Sequence, residues 1–557
     1  MCEIAKKECV IVNFTLKQLN SLAKVRSADD MNIPEIYGAR VAKGMSFSYQ
    51  LAFFTNQQIS CSFSVNSRLS DYINMYIVKD AVMDCPMPEE PDDDYITFEP
   101  GLMPDILVPA KEQNNTLRFF RTAGVWVELN IPENMVSGSY EIEFTVTAAD
   151  NPDMNNAETF TKKLNLEVCE AVLPPQKLLF TQWFHVDCIA DWYGLDIYSE
   201  KHWEYIEKFA ALASELGMNM ILTPVITPPL DTAVGTRRPC TQLVRIEKNG
   251  DKYSFDFSLL SRWTDMCRRL KIEYFEISHL FSQWGANFAP NILISENGED
   301  KFLFGWDVPS DDDRYKDFLS QFLPALSRHL KDAGVFERCY FHISDEPTEQ
   351  HIESYSAATR IAKELLPDAK FMDALSDYTF YEKGLVETPV CANDHIGKFL
   401  EHNVENLWTY YCCLQTVKVG NRLLAMPAYR NRILGLQMYK FGIKGFLQWG
   451  YNFYYGKTSY YKINPFTTTS AECSFPSGDP FSVYPYPFGP VPSMRAKIFK
   501  EALDDMRVCR ALEQKIGRDA VIKMIDEEAG FSITFGDYPR NAEFVPALIG
   551  KMLKIIG

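Results

Sequence analysis

Several features that would identify other classes of protein are missing from this sequence. No apolar run is long enough to span a bilayer. The opening residues, MCEIAKKECVIVNF, contain an early acidic residue and no cleavage-site pattern, so we expect a cytoplasmic protein without a signal peptide. Positive charge is scarce, because 56 Lys and Arg stand against 74 Asp and Glu and the formal net charge is -18. Such a surface repels nucleic-acid backbones and anionic membranes, and neither is expected as a partner.

Motifs for disulfides, metals and cofactors are missing as well. The 14 cysteines show no regular spacing, which favours reduced thiols. Cys412 and Cys413 are adjacent, and no nearby sequence supports a catalytic Cys–His pair, so we interpret them as buried thiols. There is no CxxC pair and no HExxH motif, so no zinc site is predicted. We expect neither a metal nor another cofactor.

The pattern up to about residue 172 is that of short strands. Apolar and polar residues alternate, and turn-forming residues separate the segments, which predicts an antiparallel β-sandwich over residues 1–172. The acidic stretch Glu89–Asp94 is typical of a solvated loop. Leu173–Pro175 reads as a stiff linker. The strand segments are Met45–Phe54, Ser60–Val65, Gly124–Leu129 and Tyr140–Val146.

Beyond the linker the pattern changes to alternating strands and helices. This alternation predicts a (β/α)8 barrel over residues 173–512. A doubly wound open sheet is the alternative, but its glycine fingerprint is absent after the early strands. The aromatic segment Tyr451–Pro492 should cover the barrel mouth, and residues 513–557 should form a tail that packs on the barrel. The predicted strands are Lys177–Phe184, Asn219–Val225, Ile272–Ile277, Glu337–Ser344, Lys370–Ala374, Val390–Asn393, Asn406–Cys412 and Lys444–Trp449.

A pair of neighbouring carboxylates is the strongest candidate for chemistry. Barrel enzymes hold their active sites at the carboxyl ends of the strands, where an apolar strand leads directly into Asp345, Glu346 and Pro347. Two adjacent carboxylates repel each other, so one can keep a proton near neutral pH and act as an acid. Acidic residues at a helix N-terminus are the structural alternative. The barrel context favours catalysis.

The other predicted strand ends supply polar and aromatic side chains that could bind a ligand. The histidines share no metal-ligand spacing and are better explained as core or hydrogen-bonding residues. The tryptophans suit either the core or a platform for a sugar ring. The polar candidates are His185, Asp187, Thr223, His279, Asp373, Asn393, Asp394 and Tyr410, and the tryptophans are Trp183, Trp284, Trp408 and Trp449.

With these residues in view, the chain resembles glycoside hydrolase family 123. The resemblance rests on the order and spacing of several segments over nearly the whole chain. They are PGLMPDILVP, VWVELNIPENMVSGSYEIEF, FHISDEP, LWTYYCC, RILGLQMYKFGIKGFLQWGYNFY, GDPFSVYP and SMRAKIFKEALDDMRVCRALE.

The resemblance implies an exo-acting β-N-acetylgalactosaminidase that retains configuration through substrate assistance. The substrate would be a carbohydrate with a terminal 2-acetamido sugar, whose acetamido oxygen attacks the anomeric carbon, so that no protein nucleophile is needed. Asp345 would orient the acetamido group, and Glu346 would protonate the leaving oxygen and then activate water. The match also implies sugar contacts at Tyr410, Trp449 and Asn452.

Two further hypotheses remain. One is a retaining glycosidase in which another strand-end carboxylate, such as Asp187 or Asp394, is the nucleophile; it predicts activity on sugars without an acetamido group. The other is a carbohydrate-binding protein on an inactive barrel, against which the intact pair Asp345 and Glu346 argues.

Overall fold

Residues 14–172 form an eight-stranded, mostly antiparallel sheet in the computed structural model, which describes residues 13–86 and 91–557. The strand order is β2-β8-β7-β3-β6-β4-β5, and β1 also pairs with β3. Only β2 and β8 pair in parallel. Residues 1–12 lie outside the described part of the chain. The expected lack of a signal peptide depends on this opening segment. The strands are β1 Phe14–Asn20, β2 Gly38–Lys43, β3 Ser46–Asn66, β4 Ile73–Met83, β5 Gly101–Pro109, β6 Thr116–Asn130, β7 Gly138–Ala149 and β8 Glu158–Val172.

One long strand divides this sheet into two facing layers. The predicted strands Met45–Phe54 and Ser60–Val65 are both parts of β3, whose register with β6 shifts between Phe54 and Gln58. Before this bulge β3 pairs with β1, and after it with β7. A bulge bends and twists a strand, so the two halves face each other. Phe14 in β1 and Phe160 in β8 pack with ring centroids 4.7 Å apart, and the predicted sandwich is confirmed.

The acidic stretch is not simply a solvated loop. Glu89 and Glu90 lie outside the described residues. The buried Arg430 side chain, however, donates to Asp92 Oδ1 at 2.7 Å and to the carbonyl oxygen of Asp94 at 3.1 Å. A buried guanidinium needs a paired anion, and for this reason the prediction is wrong at Asp92.

Eight parallel strands close into a barrel in the order β10-β13-β16-β17-β18-β19-β20-β9. Asn219 links the two ends of this order: its backbone N–H donates to the Phe180 carbonyl at 3.2 Å, and its Oδ1 accepts from the Phe180 N–H at 2.8 Å. Each predicted barrel strand overlaps one of the observed strands, so the predicted (β/α)8 barrel is confirmed. The strands are β9 Leu179–Gln182, β10 Met220–Thr223, β11 Arg245–Asn249, β12 Lys252–Asp256, β13 Tyr274–Ile277, β14 Ile292–Glu296, β15 Glu299–Phe304, β16 Cys339–Phe341, β17 Lys370–Ala374, β18 Thr388–Ala392, β19 Trp408–Tyr410, β20 Gly445–Gln448, β21 Val483–Tyr486 and β22 Gly489–Pro492.

The second helix along the chain buries one face, which includes Trp203, Phe209 and Ala213, and exposes the opposite one. The side chain of Ser199 accepts from the His202 N–H and caps the second helix, as N-cap serines do. No helix among the described residues is long and apolar enough to cross a membrane. The helices are α1 Val186–Tyr193, α2 Glu200–Glu215, α3 Ser258–Arg269, α4 Asp313–Asp332, α5 Ile352–Leu365, α6 Tyr378–Glu382, α7 Gly397–Glu401, α8 Tyr429–Arg432, α9 Leu434–Lys440, α10 Met494–Ile516, α11 Arg518–Ala529 and α12 Phe544–Ile556.

Helix α10 joins the sandwich to the barrel through buried ion pairs. Arg495 donates to both carboxylate oxygens of Asp105 in β5 at 2.9 Å, and Lys497 lies 2.9 Å from Glu128 in β6. In the tail, α12 packs on α10 and also contacts β2. The predicted domain boundaries themselves stay predictions.

Candidate active site

A pocket of about 170 Å³ lies at the carboxyl ends of the barrel strands. Among the described residues, no Lys, Arg or His lines it, which disfavours an anionic ligand. A larger cleft of about 1050 Å³ lies between the N-terminal sheet and α12, away from these strand ends. The pocket walls are Trp183, Asp231, Gln283, Trp284, Asp345, Glu346, Ala374, Tyr410, Cys412, Cys413, Leu447, Trp449 and Phe475.

The segment that carries Asp345 and Glu346 is irregular. Strand β16 ends at Phe341, earlier than predicted. The reason is that the Asp373 carboxylate accepts the backbone N–H groups of Ile343, at 3.1 Å, and Ser344, at 3.4 Å, in place of a neighbouring strand. These bonds hold the backbone immediately before the catalytic candidates.

The backbone around the carboxylate pair is also held from outside the segment. The Trp284 N–H donates to the Asp345 carbonyl at 2.8 Å, and the Glu346 N–H donates to the Ala374 carbonyl at 3.1 Å. Glu346 has a left-handed φ of 41°, a conformation that is costly for a residue with a Cβ and clusters at functional sites.

A buried, positively charged histidine lies in the same segment. The two ring nitrogens of His342 bond to Glu276 Oε1 at 2.7 Å and to Asp373 Oδ1 at 2.9 Å. Burial lowers the pKa of His342, but these two hydrogen-bonded carboxylates outweigh it and raise the pKa to about 10. His342 is therefore an imidazolium at neutral pH.

Asp345 holds a proton more readily than an ordinary aspartate does. Burial, followed by repulsion from Glu346, raises the pKa of Asp345 well above its usual value, and the charge of His342 offsets part of this rise.

Tyr410, at the end of β19, binds the second member of the pair. Its hydroxyl donates to Glu346 Oε1 at 2.8 Å. Burial and the negative charge of Glu346 raise the pKa of Tyr410 well above its usual value, so the phenol stays protonated and remains a donor. The predicted sugar-binding residue Tyr410 thus lines the pocket and contacts Glu346.

Trp449, at the end of β20, forms an aromatic wall that other predicted residues hold in place. A ring nitrogen of His185, Nε2, lies 3.0 Å from the Trp449 carbonyl oxygen. The backbone N–H of His185 donates to Asn452 Oδ1 at 2.9 Å. Burial lowers the pKa of His185 to about 3, so its ring is neutral. The indole Nε1 of Trp449 donates to Asp479 at 3.0 Å. His185 and Asn452 therefore lie behind the wall and do not line the pocket.

Three other predicted substrate-binding residues also lie outside the pocket lining. His279 is buried, stacks on His342 with ring centroids 4.1 Å apart, and has no partner at either ring nitrogen among the described residues. Asn393 donates to the Gly420 carbonyl at 2.8 Å. Asp394 is exposed and accepts from Gln415 at 3.0 Å. Their contact with a sugar stays a prediction.

The two carboxylates considered as protein nucleophiles are also outside the lining. Asp187 is buried in a two-bond ion pair with Arg238, at 2.7 and 2.8 Å, and Asp394 faces solvent. Besides Asp345 and Glu346, the carboxylate of Asp231 lines the pocket, and the sequence reasoning missed it. Asp231 lies in the loop after β10 rather than at the strand end; its only signal was an acidic residue in the proline-rich segment Thr227–Thr232.

The tryptophans divide into pocket and core. Trp183, Trp284 and Trp449 line the pocket. Trp408 instead packs inside the barrel, where a Cβ added to Gly445 would lie 2.0 Å from its ring. Gly445 is thus required for this packing.

One group of described residues has the spacing of metal ligands: His279, His342 and Asp373. Both ring nitrogens of His342, however, are already hydrogen-bonded to carboxylates. A metal there would have to displace the imidazolium proton, so the arrangement is better explained as a buried ion network. The expected lack of a metal stays a prediction.

The barrel carries adjacent carboxylates at a strand end, in a pocket with aromatic walls and no cation among its described lining residues. These features suit the hydrolysis of a glycosidic bond. The family model described as "Glycoside hydrolase 123, catalytic domain" matches residues 183–512. The chain belongs to glycoside hydrolase family 123, as its sequence segments predicted, and is a glycosidase.

One solved structure agrees with this fold over nearly the whole chain. A family 123 glycoside hydrolase from Clostridium perfringens, studied for glycolipid glycan hydrolysis, is similar with a TM-score of 0.74 and 16% identity, covering 98% of this chain and 97% of that one. A family 5 mannosidase from Rhizomucor miehei has a TM-score of 0.33 and 11% identity, over 60% of this chain and 94% of that one. A β-D-glucuronidase from Dictyoglomus thermophilum has a TM-score of 0.32 and 8% identity, covering 88% of this chain and 68% of that one. No curated protein sequence matches the chain significantly.

Proposed function

We propose that the enzyme is a retaining exo-β-N-acetylgalactosaminidase in which the acetamido oxygen of the substrate is the nucleophile. The observation that carries this proposal is that Asp345 and Glu346, consecutive residues on one wall, both line the pocket. In a conventional retaining enzyme the acid and the nucleophile flank the glycosidic bond, about 5–5.5 Å apart. Adjacent carboxylates suit two neighbouring groups on one side of the sugar, the C2 acetamido group and the C1 oxygen.

The reaction would proceed in two steps. In the first, ionised Asp345 accepts the acetamido N–H and increases the electron density on the carbonyl oxygen, which attacks C1. The C1–O bond to the leaving group breaks as Glu346 gives that oxygen its proton, and an oxazolinium ion remains. In the second step Glu346 takes a proton from water, and the water oxygen attacks C1 and reopens the ring. Two inversions at C1 give net retention.

Substrate binding would also place the proton correctly. Burial and repulsion from Glu346 raise the pKa of Asp345, which favours its protonated form before substrate binds. An acetamido N–H that donates to Asp345 favours its ionised form. The proton that Asp345 gives up would then pass to Glu346, next to the glycosidic oxygen, while Tyr410 fixes the other carboxylate oxygen, Oε1.

The size of the pocket supports removal of one terminal sugar. A cavity of about 170 Å³ is small beside the range typical of ligand pockets. Trp284 lines it and is 43% exposed, which suits an aromatic platform at the rim for the next residue of the substrate.

Paired aryl glycosides test the proposal. Aryl β-N-acetylgalactosaminides should be cleaved, and NMR should detect the β-anomer of the free sugar as the first product. Aryl β-galactosides should not be cleaved. Replacing the acetamido methyl hydrogens by fluorine makes the oxygen a poorer nucleophile, so the rate should fall with each fluorine added. A thiazoline analogue of the oxazolinium ion should inhibit strongly. Equal rates on both sugar types would refute substrate assistance.

A further inference from the structure

Asp231 and Gln283 present two unused hydrogen-bonding atoms in the pocket wall. Both residues line the pocket. Asp231 Oδ2, an acceptor, and Gln283 Nε2, a donor, are buried and have no hydrogen-bond partner among the described residues. Gln283 is only 4% exposed. Buried polar atoms are nearly always partnered in a folded protein, so an unpartnered acceptor and donor in one wall indicate a ligand group.

Contacts that leave these two atoms free hold the Gln283 side chain and the Asp231 backbone in place. Gln283 Oε1 accepts the backbone N–H of Asp231, so the amide nitrogen is the end left without a partner. Ser459 Oγ donates to the Asp231 carbonyl at 2.7 Å, and the Ala233 N–H donates to the Thr458 carbonyl at 3.0 Å.

The backbone here is strained. Asp231, Thr458 and Ser459 all have left-handed φ values, of 45°, 54° and 57°. Such conformations persist only where surrounding contacts enforce them, and they cluster at ligand sites.

The chemistry of these atoms defines the ligand group. A carboxylate only accepts hydrogen bonds, and the amide nitrogen of Gln only donates them. A hydroxyl can satisfy both, because it donates to one and accepts from the other. A cationic ligand is disfavoured, because Gln283 Nε2 would then face a second donor.

The pocket walls indicate which hydroxyl this is. Gln283 and Trp284 lie between Asp231 and the carboxylate pair, because the Gln283 side chain contacts Asp231 and the Trp284 N–H bonds to Asp345. If the proposed function holds, C1 and C2 of the sugar face Asp345 and Glu346. The opposite edge, which carries the C4 and C6 hydroxyls, then faces Asp231 and Gln283.

We propose that Asp231 and Gln283 form a subsite that binds the C4 hydroxyl of the terminal sugar and thereby selects the galacto over the gluco configuration. This inference rests on the proposed function, which supplies the orientation of the sugar. The C4 hydroxyl is axial in the galacto sugar and equatorial in the gluco sugar, so a donor–acceptor pair placed for one configuration misses the other. Loss of such a contact leaves buried polar atoms unpaired, which is what makes hydroxyl recognition selective.

Deoxy substrates in combination with Asp231→Asn test the subsite. The measurement is kcat/KM for aryl β-N-acetylgalactosaminide, its 3-, 4- and 6-deoxy analogues, and the β-N-acetylglucosaminide. On the full substrate the variant should lose about 10- to 100-fold, as expected for a hydrogen bond to a charged group. On the 4-deoxy analogue it should lose less than about threefold, because the contact is already gone. On the 3-deoxy and 6-deoxy analogues it should lose as much as on the full substrate. The preference for the galacto sugar should also fall.

Two further variants separate binding from folding. Gln283→Glu keeps an acceptor for the Asp231 N–H but removes the donor, and should show the same dependence on the C4 hydroxyl. The control is Asp368→Asn, which changes an exposed carboxylate that pairs with Lys331 just before β17 and should change none of these ratios. Equal losses on every analogue, a loss that disappears only on the 3-deoxy or 6-deoxy compound, or unchanged activity in Asp231→Asn would overturn the proposal.

Failure of the proposed function would give a different result. If Asp231 were instead a protein nucleophile, the wild-type enzyme would cleave aryl β-galactosides, and Asp231→Asn would lose both activities with no dependence on the C4 or C6 hydroxyl. If substrate assistance fails but the subsite exists, the same deoxy dependence can be measured on the β-galactosides.

Discussion

The Tyr410 hydroxyl donates a hydrogen bond of 2.8 Å to Oε1 of Glu346. The bond connects the end of β19 to the segment that follows β16, on another side of the barrel. Glu346 has an unfavourable left-handed backbone, so this contact helps fix the direction of its carboxylate. Tyr410 is therefore expected to act by positioning Glu346 for proton transfer.

Removal of this hydroxyl gives the first prediction. Tyr410→Phe should lower kcat for an N-acetylgalactosaminide with an alkyl leaving group by about 10- to 100-fold, the value of a hydrogen bond to a charged group. KM should change little, because the ring remains in the wall. The control is Tyr411→Phe, whose hydroxyl contacts Asn431 instead. Equal effects of the two substitutions on kcat would argue against a positioning role.

The barrel could be predicted from sequence because each buried parallel strand is a short apolar run between helices of clear periodicity. The pair Asp345 and Glu346 could also be predicted as a strand-end site, because it follows one of these apolar strands. The end of β16 was placed too late, because the Asp373 carboxylate, distant in sequence, takes the amides of Ile343 and Ser344. Long-range contacts of this kind leave no local pattern.

Other features were missed because no local rule identifies them. Sequence periodicity does not show that β3 passes through a bulge as one strand. The sheet of β11, β12, β14 and β15 was not predicted, since β11 and β12 consist mostly of polar, exposed residues. Asp231 was missed because the search was limited to strand ends, whereas the loop after β10 brings Asp231 to the pocket.

A second prediction concerns pH and stability. The pKa of His342 is about 10 in the folded protein against an ordinary value of 6.5, so the folded state binds this proton more tightly than the unfolded state. Its contribution to the free energy of unfolding is complete below pH 6.5 and is lost as pH rises through 10. Thermal unfolding should show the contribution of His342 to Tm falling between about pH 6.5 and pH 10.

The same measurement on His342→Gln isolates this group from the tyrosines and lysines that also titrate near pH 10. The variant should be less stable at pH 8, and the difference between its Tm and that of the wild type should shrink as pH rises. A difference independent of pH would show that His342 is not charged in the folded protein.

A third prediction concerns metals. Exhaustive treatment with EDTA should leave activity on aryl β-N-acetylgalactosaminides unchanged, because the proposed steps use only carboxylates and the substrate's own acetamido group. The control is addition of zinc, magnesium or calcium to the treated enzyme, which should have no effect. Loss of activity restored by one of these ions would point to His279, His342 and Asp373 as ligands.

The fourth prediction separates the roles of the two carboxylates. In Glu346→Ala an alkoxide must leave without a proton, and general acid catalysis is typically worth about 100- to 10,000-fold. An activated aryl leaving group needs no proton, so its release should recover much of the rate. Breakdown of the oxazolinium ion then becomes slow, because Glu346 is also the base, and a burst of phenol should precede a slow steady state.

Asp345→Asn should behave differently, because Asp345 is proposed to act on the acetamido group. Positive charge develops on that group whatever the leaving group is. A better leaving group should therefore rescue this variant much less, and no burst should appear.

The most direct test of the assignment is the rate of both variants against the pKa of the leaving group. We predict a steep dependence and a burst for Glu346→Ala, and a much flatter dependence without a burst for Asp345→Asn. The opposite pattern would reverse the two roles, and near wild-type rates in both variants would show that the catalytic site lies elsewhere in the barrel.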